Sequence, residues 1–347
     1  MSRQGKSTNL DNDSGNDSSN LNDDPKVAIS LKPSPLLALV IPCYNEEAAL
    51  KETSKVVRSK LAALKKDHAI DASSFVILVD DGSTDKTWQE ISALHDEEPE
   101  LFHGVKFSHN RGHQNALYAG LMQARALKAD AAVSMDADLQ DDPNAIDAMV
   151  EEYRKGAEIV YGVRDNRDTD TVFKRSSAHA FYRLMHWMGT ETIPDHADYR
   201  LMSRAALDAL SEYTEVNLFL RGIVPSLGFK TAKVYYKRSE RVAGESKYPL
   251  RKMVSFAIDG VTSFSVKPLS AITAIGAISV VFGIIMLIYT IASLCAGHAQ
   301  AGWASIMCSL WIIGGLILTA LGIVGEYIGR IYLEVKQRPR YIIEKTI

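Results

Sequence analysis

Two aspartates and a glutamine stand close together near the middle of the chain, at Asp136, Asp138 and Gln140. They follow the apolar run 131–135, which has the length of a buried strand, and they precede Pro143, which could open a helix. Because side chains alternate along a strand, Asp136 and Asp138 are expected on the same side. Carboxylate and amide oxygens are hard ligands, so the pattern predicts Mg²⁺ or Mn²⁺ in preference to zinc. Taken alone, these residues would also fit an acidic turn between a strand and a helix.

The elements that would position this cluster are short apolar strands separated by helical patterns. The strands are predicted at 37–41, 75–79, 105–107, 131–135 and 158–162. Strands that alternate with helices are typical of an α/β fold with a doubly wound, mostly parallel sheet. Ligands of such sheets bind beside the carboxyl ends of the strands. The polar residues that follow the first, second and fourth strands should therefore share one crevice.

A nucleotide would suit that crevice, although the common phosphate-binding loops are missing. No G-x-G-x-x-G sequence follows the first strand, and no G-x-x-x-x-G-K-[ST] sequence occurs in the chain. The net charge of −3, without a basic patch interleaved with aromatic residues, predicts no nucleic-acid partner. The three cysteines show no metal-ligand spacing, which argues against a zinc site.

The N-terminal segment 1–34 is expected to be disordered, because it begins with a long run of Asn, Asp, Ser and Gly that cannot build a core. This run also lacks the apolar stretch of a secretory signal peptide. A cytoplasmic catalytic domain is expected over 35–245.

A long uncharged region near the C-terminus predicts membrane insertion. From Pro268 to Gly325 the sequence contains no Asp, Glu, Lys or Arg, and this is long enough for two membrane-spanning helices. We place them at roughly 270–294 and 303–323, within the segment 269–327. The mixed apolar and basic segment 246–268 before them is expected to form interfacial helices. A helical hairpin buried in a soluble protein is the alternative.

The charges that flank the uncharged region predict its orientation. Lys and Arg residues lie outside both predicted spans, whereas the short linker 295–302 between them has none. The positive-inside rule then places the catalytic domain and both termini in the cytoplasm, with 328–347 as a cytoplasmic C-terminal tail. The expected localisation is therefore a multi-pass protein of the cell membrane.

Four motifs in this order resemble those of the family-2 glycosyltransferases. They are Pro42-Cys43-Tyr44-Asn45-Glu46, Asp80-Asp81-Gly82-Ser83, Asp136-Ala137-Asp138-Leu139-Gln140 and Asp198-Tyr199-Arg200-Leu201-Met202. Over about residues 36–335 the chain looks more narrowly like the polyprenyl-phosphate branch, which includes bactoprenol glucosyltransferases and dolichyl-phosphate mannose synthase. The resemblance implies a GT-A-like sheet followed by interfacial helices and two transmembrane helices. It also implies inverting transfer of a hexose, with glucose the first expectation, from a UDP- or GDP-sugar to a polyprenyl phosphate at the cytoplasmic membrane face.

The resemblance also assigns roles to individual residues. Those expected at the nucleotide sugar are Pro42, Tyr44, Glu46, Asp81 and Asp136. Those expected to hold Mg²⁺ or Mn²⁺ are Asp136, Asp138 and Gln140. Those expected at the acceptor phosphate are Arg175, Arg241, Ser246 and Lys247. Those expected to act in catalysis are Asp198, Asp138, Arg164 and Arg200.

Asp198 matches the carboxylate that serves as the catalytic base in the resembled family, but the acceptor chemistry does not require a base. A phosphate monoester has a second pKa near ~6 and is largely dianionic at neutral pH. We therefore expect the main role of Asp198 to be to position a substrate, and base catalysis is the alternative role.

Three alternatives remain at this point. A GDP-mannose-dependent polyprenyl-phosphate mannose synthase would show the same motifs, and a non-catalytic membrane scaffold could keep the fold without turnover. A processive polysaccharide synthase is disfavoured, because the chain has no Q-x-x-R-W sequence. The sequence leaves open whether the protein forms a homo-oligomer.

The predicted topology can be checked by labelling a cysteine in the linker between the two spans. In a background without the native cysteines, His298→Cys should react with a membrane-impermeant thiol reagent from the side opposite the catalytic domain. Labelling only from the cytoplasmic side would contradict the predicted orientation.

Overall fold

A computed structural model describes residues 31–165, 196–216, 219–237 and 302–347, together with isolated positions between 269 and 295. Its strands, in chain order, are β1 (Leu37–Cys43), β2 (Phe75–Asp80), β3 (Phe102–Phe107), β4 (Ala131–Ser134), β5 (Ile159–Arg164), β6 (His196–Ser203), β7 (Thr231–Tyr236) and β8 (Ile343–Thr346). The helices with continuous descriptions are α1 (Glu47–Lys66), α2 (Thr87–Glu97), α3 (His113–Ala126), α4 (Ala145–Arg154), α5 (Arg204–Ser211), α6 (Leu220–Ser226) and α7 (Trp303–Val335).

The strands form one sheet in the order β7-β5-β6-β4-β1-β2-β3-β8. The pairs β1–β2, β1–β4, β2–β3 and β5–β7 are parallel, which confirms the predicted mostly parallel α/β sheet. The five predicted strands are β1 to β5. Since β1, β2 and β4 run in the same direction, their carboxyl ends lie along one edge of the sheet.

Alternation along the strands divides the core into two layers. On β1, Leu37, Leu39 and Ile41 pack in the layer that includes apolar residues of α1 and α4. Ala38 and Val40, which alternate with them, pack in the layer that includes residues of α3, α5 and α6. The strand is buried along its whole length, as expected for the centre of a parallel sheet covered by helices on both faces.

The strand β6 is antiparallel to both of its neighbours, β4 and β5. Its first residues therefore lie at the same edge of the sheet as the last residues of β4. This brings Asp198, near the start of β6, to the predicted crevice. The sequence does not predict β6 as a strand, because polar and charged residues interrupt its apolar pattern.

The helix α7 contains the stretch Ile312–Val335, which is long and apolar enough to cross a membrane. Ile312, Ile317 and Leu321 are 64%, 60% and 64% exposed, so this helix does not form the core of a soluble domain. It includes the second predicted span but continues beyond the predicted boundary at 327 to Val335. The first predicted span lies for the most part outside the described residues.

The segment 328–347, predicted as a tail, contains the end of α7 and the strand β8, which joins the sheet. After α7, strand β8 pairs antiparallel with β3, and the ring of Tyr341 stacks on Phe107 with centroids 4.8 Å apart. Arg340 lies over the Tyr118 ring at 4.5 Å and donates from Nε to the carbonyl oxygen of Glu215 (2.7 Å). The sequence does not predict β8, because a strand of four exposed residues has no apolar pattern and is stabilised by pairing with a distant edge.

Replacement of Tyr341 by alanine should weaken the attachment of the C-terminal strand. The loss of a stacked aromatic contact should lower the free energy of unfolding by about 1–2 kcal/mol. Thermal unfolding of the detergent-solubilised protein would measure the effect, with Tyr235→Ala as the control because Tyr235 is 63% exposed on the opposite edge strand. Equal unfolding temperatures for the two variants would contradict the anchoring role of Tyr341.

Candidate active site

The loops that follow β1 and β2 are held together by hydrogen bonds between backbone and side chains. The N–H of Asn45 donates to Ser83 Oγ (2.9 Å), and the N–H of Thr84 donates to Asn45 Oδ1 (2.9 Å). The N–H of Glu46 donates to Thr87 Oγ1 (2.9 Å) at the start of α2. These reciprocal bonds fix the first two motifs against each other.

Asp81 connects the second motif to the start of α3. Its two carboxylate oxygens accept bonds from the backbone N–H groups of Arg111 (2.6 Å) and Gly112 (2.8 Å). The next residue, Gly82, has φ +66, and a Cβ there would lie 2.5 Å from the carbonyl carbon of His109. Only glycine fits this turn without strain, so the sequence Asp-Gly is required for the close approach. Burial raises the pKa of Asp81, against the effect of these two hydrogen bonds.

The third motif leaves the sheet in a turn that α1 supports. Thr53 Oγ1, on α1, donates to the carbonyl oxygen of Ala137 (2.6 Å). Leu139 adopts φ +53, and the N–H of Gln140 donates to Asp138 Oδ1 (3.2 Å). The turn buries Leu139 and leaves the carboxyl group of Asp136 partly open, with 40% of the side chain exposed.

Asp198 is bound by two guanidinium groups. Arg200 Nη2 lies 2.5 Å from Asp198 Oδ1, and Arg221 contacts both oxygens, from Nε to Oδ1 (3.2 Å) and from Nη2 to Oδ2 (3.0 Å). Gln114 Nε2 also donates to Oδ2 (3.3 Å). Burial by itself would raise the pKa of Asp198, but the neighbouring Arg221, His113 and Arg200 hold it well below the usual range. The carboxylate is therefore ionised and is a very weak base.

His113 lies between two carboxylates at the start of α3. Its Nε2 atom is 3.6 Å from Asp136 Oδ1 and 3.6 Å from Asp198 Oδ2. Desolvation opposes protonation of this ring, but the interaction with Asp198 and the charges of both aspartates raise its pKa. His113 thus connects the third and fourth motifs, which lie on different strands.

The electrostatics around Asp136 favour a cation. Desolvation raises the pKa of Asp136 to about 6; the charge of His113 opposes this, and the charges of Asp141, Asp198 and Asp138 add to it. A bound divalent cation would relieve this repulsion, and carboxylate oxygens are ligands that Mg²⁺ and Mn²⁺ accept.

The ligands fit a metal ion that is shared with a substrate. In the part of the chain that the structure describes, no three His, Cys, Asp or Glu side chains form a metal-binding group. Mg²⁺ often takes only one or two protein carboxylates and completes its coordination with substrate phosphates and water. The predicted ligands Asp136, Asp138 and Gln140 match that kind of site and not an all-protein cage.

A second charged cluster lies where β5 and β7 end. Arg164 Nη2 is 3.2 Å from the buried carboxylate of Asp141, and the hydroxyl of Tyr236 donates to the same carboxylate oxygen. Arg164 Nε also donates to the Tyr236 hydroxyl oxygen (3.2 Å). The partly exposed Arg164 is therefore held in place by Asp141, the residue that directly follows the third motif.

The remaining predicted residues differ in how they are placed. Pro42 is buried at the end of β1, whereas Tyr44 is 46% exposed. Arg200 is 1% exposed, which excludes it from direct contact with a substrate in this conformation. The predicted acceptor residues lie outside the described residues, namely Arg175, Arg241, Ser246 and Lys247.

Three residues of this site were not predicted, namely His113, Gln114 and Arg221. The first two stand in a polar run after β3, and a stricter use of the strand-end rule would have selected them. Arg221 carries no such signal, because it is a single charged residue in the largely apolar sequence of α6.

Comparisons with known proteins agree on one family. The family model described as Glycosyl transferase family 2 matches residues 38–211. The glycosyltransferase YkoT of Bacillus subtilis is 47% identical over 310 residues, or 89% of this chain and 91% of that protein. The SfII prophage-derived bactoprenol glucosyl transferase of Shigella flexneri is 39% identical over 315 residues, or 89% of this chain and 98% of that protein. Among solved structures, glucosyl-3-phosphoglycerate synthase of Mycobacterium tuberculosis is a distant likeness, with 20% identity, a TM-score of 0.42 and coverage of 66% and 78% of the two chains.

Removal of the charge at Asp136 should stabilise the metal-free protein at high pH. The raised pKa means that the folded protein holds this proton more tightly than the unfolded chain, so stability falls as the pH rises from about 4 to about 6. At about pH 8 in EDTA, Asp136→Asn should gain about 1 kcal/mol, a figure reduced for solvent screening of a partly exposed group.

Thermal unfolding at several pH values would measure this gain, which should disappear below about pH 4. Asp96→Asn, on the exposed side of α2, is the control for the loss of one negative charge. A gain in stability that does not depend on pH would contradict the raised pKa of Asp136.

Proposed function

Because the chain belongs to glycosyl transferase family 2, we propose that it transfers glucose with inversion from UDP-glucose to a polyprenyl phosphate at the cytoplasmic face of a membrane. The observation that carries the proposal is the site itself. Partly exposed carboxylates for a cation lie beside a carboxylate bound by two guanidinium groups, in a chain that is 39% identical to a named bactoprenol glucosyl transferase.

In this proposal the donor lies across the ends of β1, β2 and β4. Tyr44 and Glu46 would border the nucleoside, and the buried Pro42 and Asp81 would shape the loops around it. Asp136, Asp138 and Gln140 would hold Mg²⁺ or Mn²⁺ at the diphosphate. When bound, the cation supplies Lewis-acid neutralisation of the charge that develops on the leaving nucleoside diphosphate. Arg164, held by Asp141 and Tyr236, would add a fixed positive charge near the phosphates.

We propose that Asp198 positions groups around the reaction centre and does not act as the general base. A base works best when its pKa lies near the operating pH, whereas the pKa of Asp198 lies well below its usual range. The acceptor phosphate is already a dianion near neutral pH and can act as the nucleophile without losing a proton. Asp198 instead orders Arg200, Arg221 and His113.

The acceptor would reach the site from the membrane. The helix α7 is long and apolar enough to span a bilayer, which supports membrane association. We propose that a second span lies at roughly 270–294 and that both termini are cytoplasmic. The acceptor phosphate would then meet Arg175, Arg241, Ser246 and Lys247 near the membrane surface.

The proposal is tested by the products that the purified full-length protein forms. The protein is incubated with a panel of UDP- and GDP-sugars, a short polyprenyl phosphate and Mn²⁺, and the lipid is analysed by mass. We expect one hexose to be added from UDP-glucose, and none in EDTA. If the lipid is instead mannosylated from GDP-mannose, the enzyme is a mannosyltransferase and the proposal of glucose as the donor sugar is wrong.

A matched pair of variants distinguishes catalysis from a scaffold role. Asp138→Asn keeps the size of a proposed metal ligand and removes its charge, and it should lower turnover by about 10²-fold or more. Asp96→Asn should retain activity. If a folded wild-type protein modifies no lipid with any donor, the non-catalytic scaffold becomes the better reading.

The role of Asp198 can be read from the pH dependence of kcat/KM. If the acceptor dianion is the nucleophile, Asp198→Asn should lower the whole profile but keep its acidic limb near the second phosphate pKa of ~6. Saturating metal is needed at each pH, because carboxylate ligands also bind protons. A flat profile for Asp198→Asn from about pH 5 to 8, beside a sloping wild-type profile, would identify Asp198 as the general base.

A further inference from the structure

The two arginines bound to Asp198 differ in their surroundings. The Arg200 side chain is 1% exposed, and its Nη1 atom donates to the carbonyl oxygen of Leu220 (3.3 Å). The Arg221 side chain is 35% exposed, although the carboxylate that it binds is only 8% exposed. Arg200 is therefore the interior partner of Asp198, while Arg221 reaches the same carboxylate from the solvent side.

Two guanidinium groups bind the single carboxylate of Asp198. Asp198 contributes one negative charge, and Arg200 and Arg221 contribute one positive charge each. One guanidinium is sufficient to neutralise a buried carboxylate, so the second leaves a surplus charge that an anion could neutralise.

Asp198 would remain satisfied if Arg221 moved. Arg200 Nη2 would still lie 2.5 Å away, and Gln114 Nε2 would still donate at 3.3 Å. The contact with Arg221 is a two-point contact through Nε and Nη2, and a phosphate group offers a guanidinium the same paired oxygens. A phosphate can therefore replace the carboxylate as the partner of Arg221 without leaving a buried charge unpaired.

We infer that Arg221 binds a phosphate group of a substrate and that Asp198 holds its guanidinium in place before the substrate arrives. The inference rests on the proposed function, which supplies two sources of phosphate, the diphosphate of the donor and the monoester of the lipid acceptor. The location fits either source, since Asp198 lies one side chain, His113, away from the proposed metal ligand Asp136.

Binding measurements on the full-length protein in detergent test this inference without requiring turnover. One arm titrates UDP with Mn²⁺, and the other titrates farnesyl phosphate, with farnesol as the ligand that lacks phosphate. Arg221→Gln should weaken the binding of one of the two phosphate ligands by about 10-fold or more. The ligand whose binding is weakened shows which substrate supplies the phosphate. The affinity of Arg221→Lys for that ligand should lie between those of the wild type and Arg221→Gln, because lysine keeps the charge but loses the paired donors.

Arg204→Gln is the matched control. Arg204 is 38% exposed and also pairs with an aspartate, Asp208, but on the surface of α5. Arg221→Gln is expected to unfold at the wild-type temperature, since Asp198 keeps Arg200. If a folded Arg221→Gln protein binds both ligands as tightly as Arg204→Gln does, the role of Arg221 is overturned. If wild-type protein binds neither ligand, the proposed function is overturned and the role of Arg221 with it.

Discussion

The burial of Asp198 is the constraint on which the arrangement of the site depends. A carboxylate in the interior costs several kcal/mol unless a positive charge and hydrogen bonds accompany it. Arg200, two residues later on the same strand, supplies the charge from within the protein, and its own remaining hydrogen bond goes to Leu220 at the start of α6. Removing one member of such a pair typically costs about 3–5 kcal/mol. The pair therefore fixes β6 to α6, and Gln114 of α3, which donates to Asp198, fixes α3 to both.

This fixed pair separates charges of opposite sign over a short distance. Asp136 lies on one side of His113, where desolvation and the charges of other carboxylates raise its pKa. Asp198 lies on the other side, where guanidinium groups lower its pKa against the effect of burial. A metal-bound diphosphate carries both signs of charge, and a site divided in this way is complementary to both parts. Because the groups are held by the sheet and by buried partners, little reorganisation is needed when charge develops in the reaction.

The C-terminal part of the chain connects α7, the candidate membrane helix, to this site. Glu334, near the end of α7, accepts two hydrogen bonds from the N–H of Val216 (2.8 and 3.0 Å), and Arg340 binds carbonyl oxygens of Tyr213 and Glu215. These residues lie a few positions before α6, which carries Arg221. The strand β8 then pairs with β3 at the edge of the sheet. The catalytic domain is thus attached to the C-terminal part of the chain at two separate places, which suits the proposed reaction with a lipid acceptor.

The sequence by itself determined the parts of this protein that depend on local patterns. Short apolar runs between helical patterns were enough to predict β1 to β5, and the direction of parallel strands was enough to bring Asp81, Asp136 and Asp138 to one edge. An uncharged stretch was enough to predict the second candidate membrane span, which α7 contains.

Tertiary structure decided everything that depends on partners distant in the chain. β6 is antiparallel and polar in its first half, and only its place between β4 and β5 makes it a strand. β8 has four exposed residues and exists because the edge of β3 was open to pairing. The pKa of Asp136 is raised and that of Asp198 is lowered, although both residues are aspartates. Burial and neighbouring charges, which the residue type does not determine, set each pKa. Arg221 belongs to the site for the same reason, since its carboxylate partner lies on a different element of the fold.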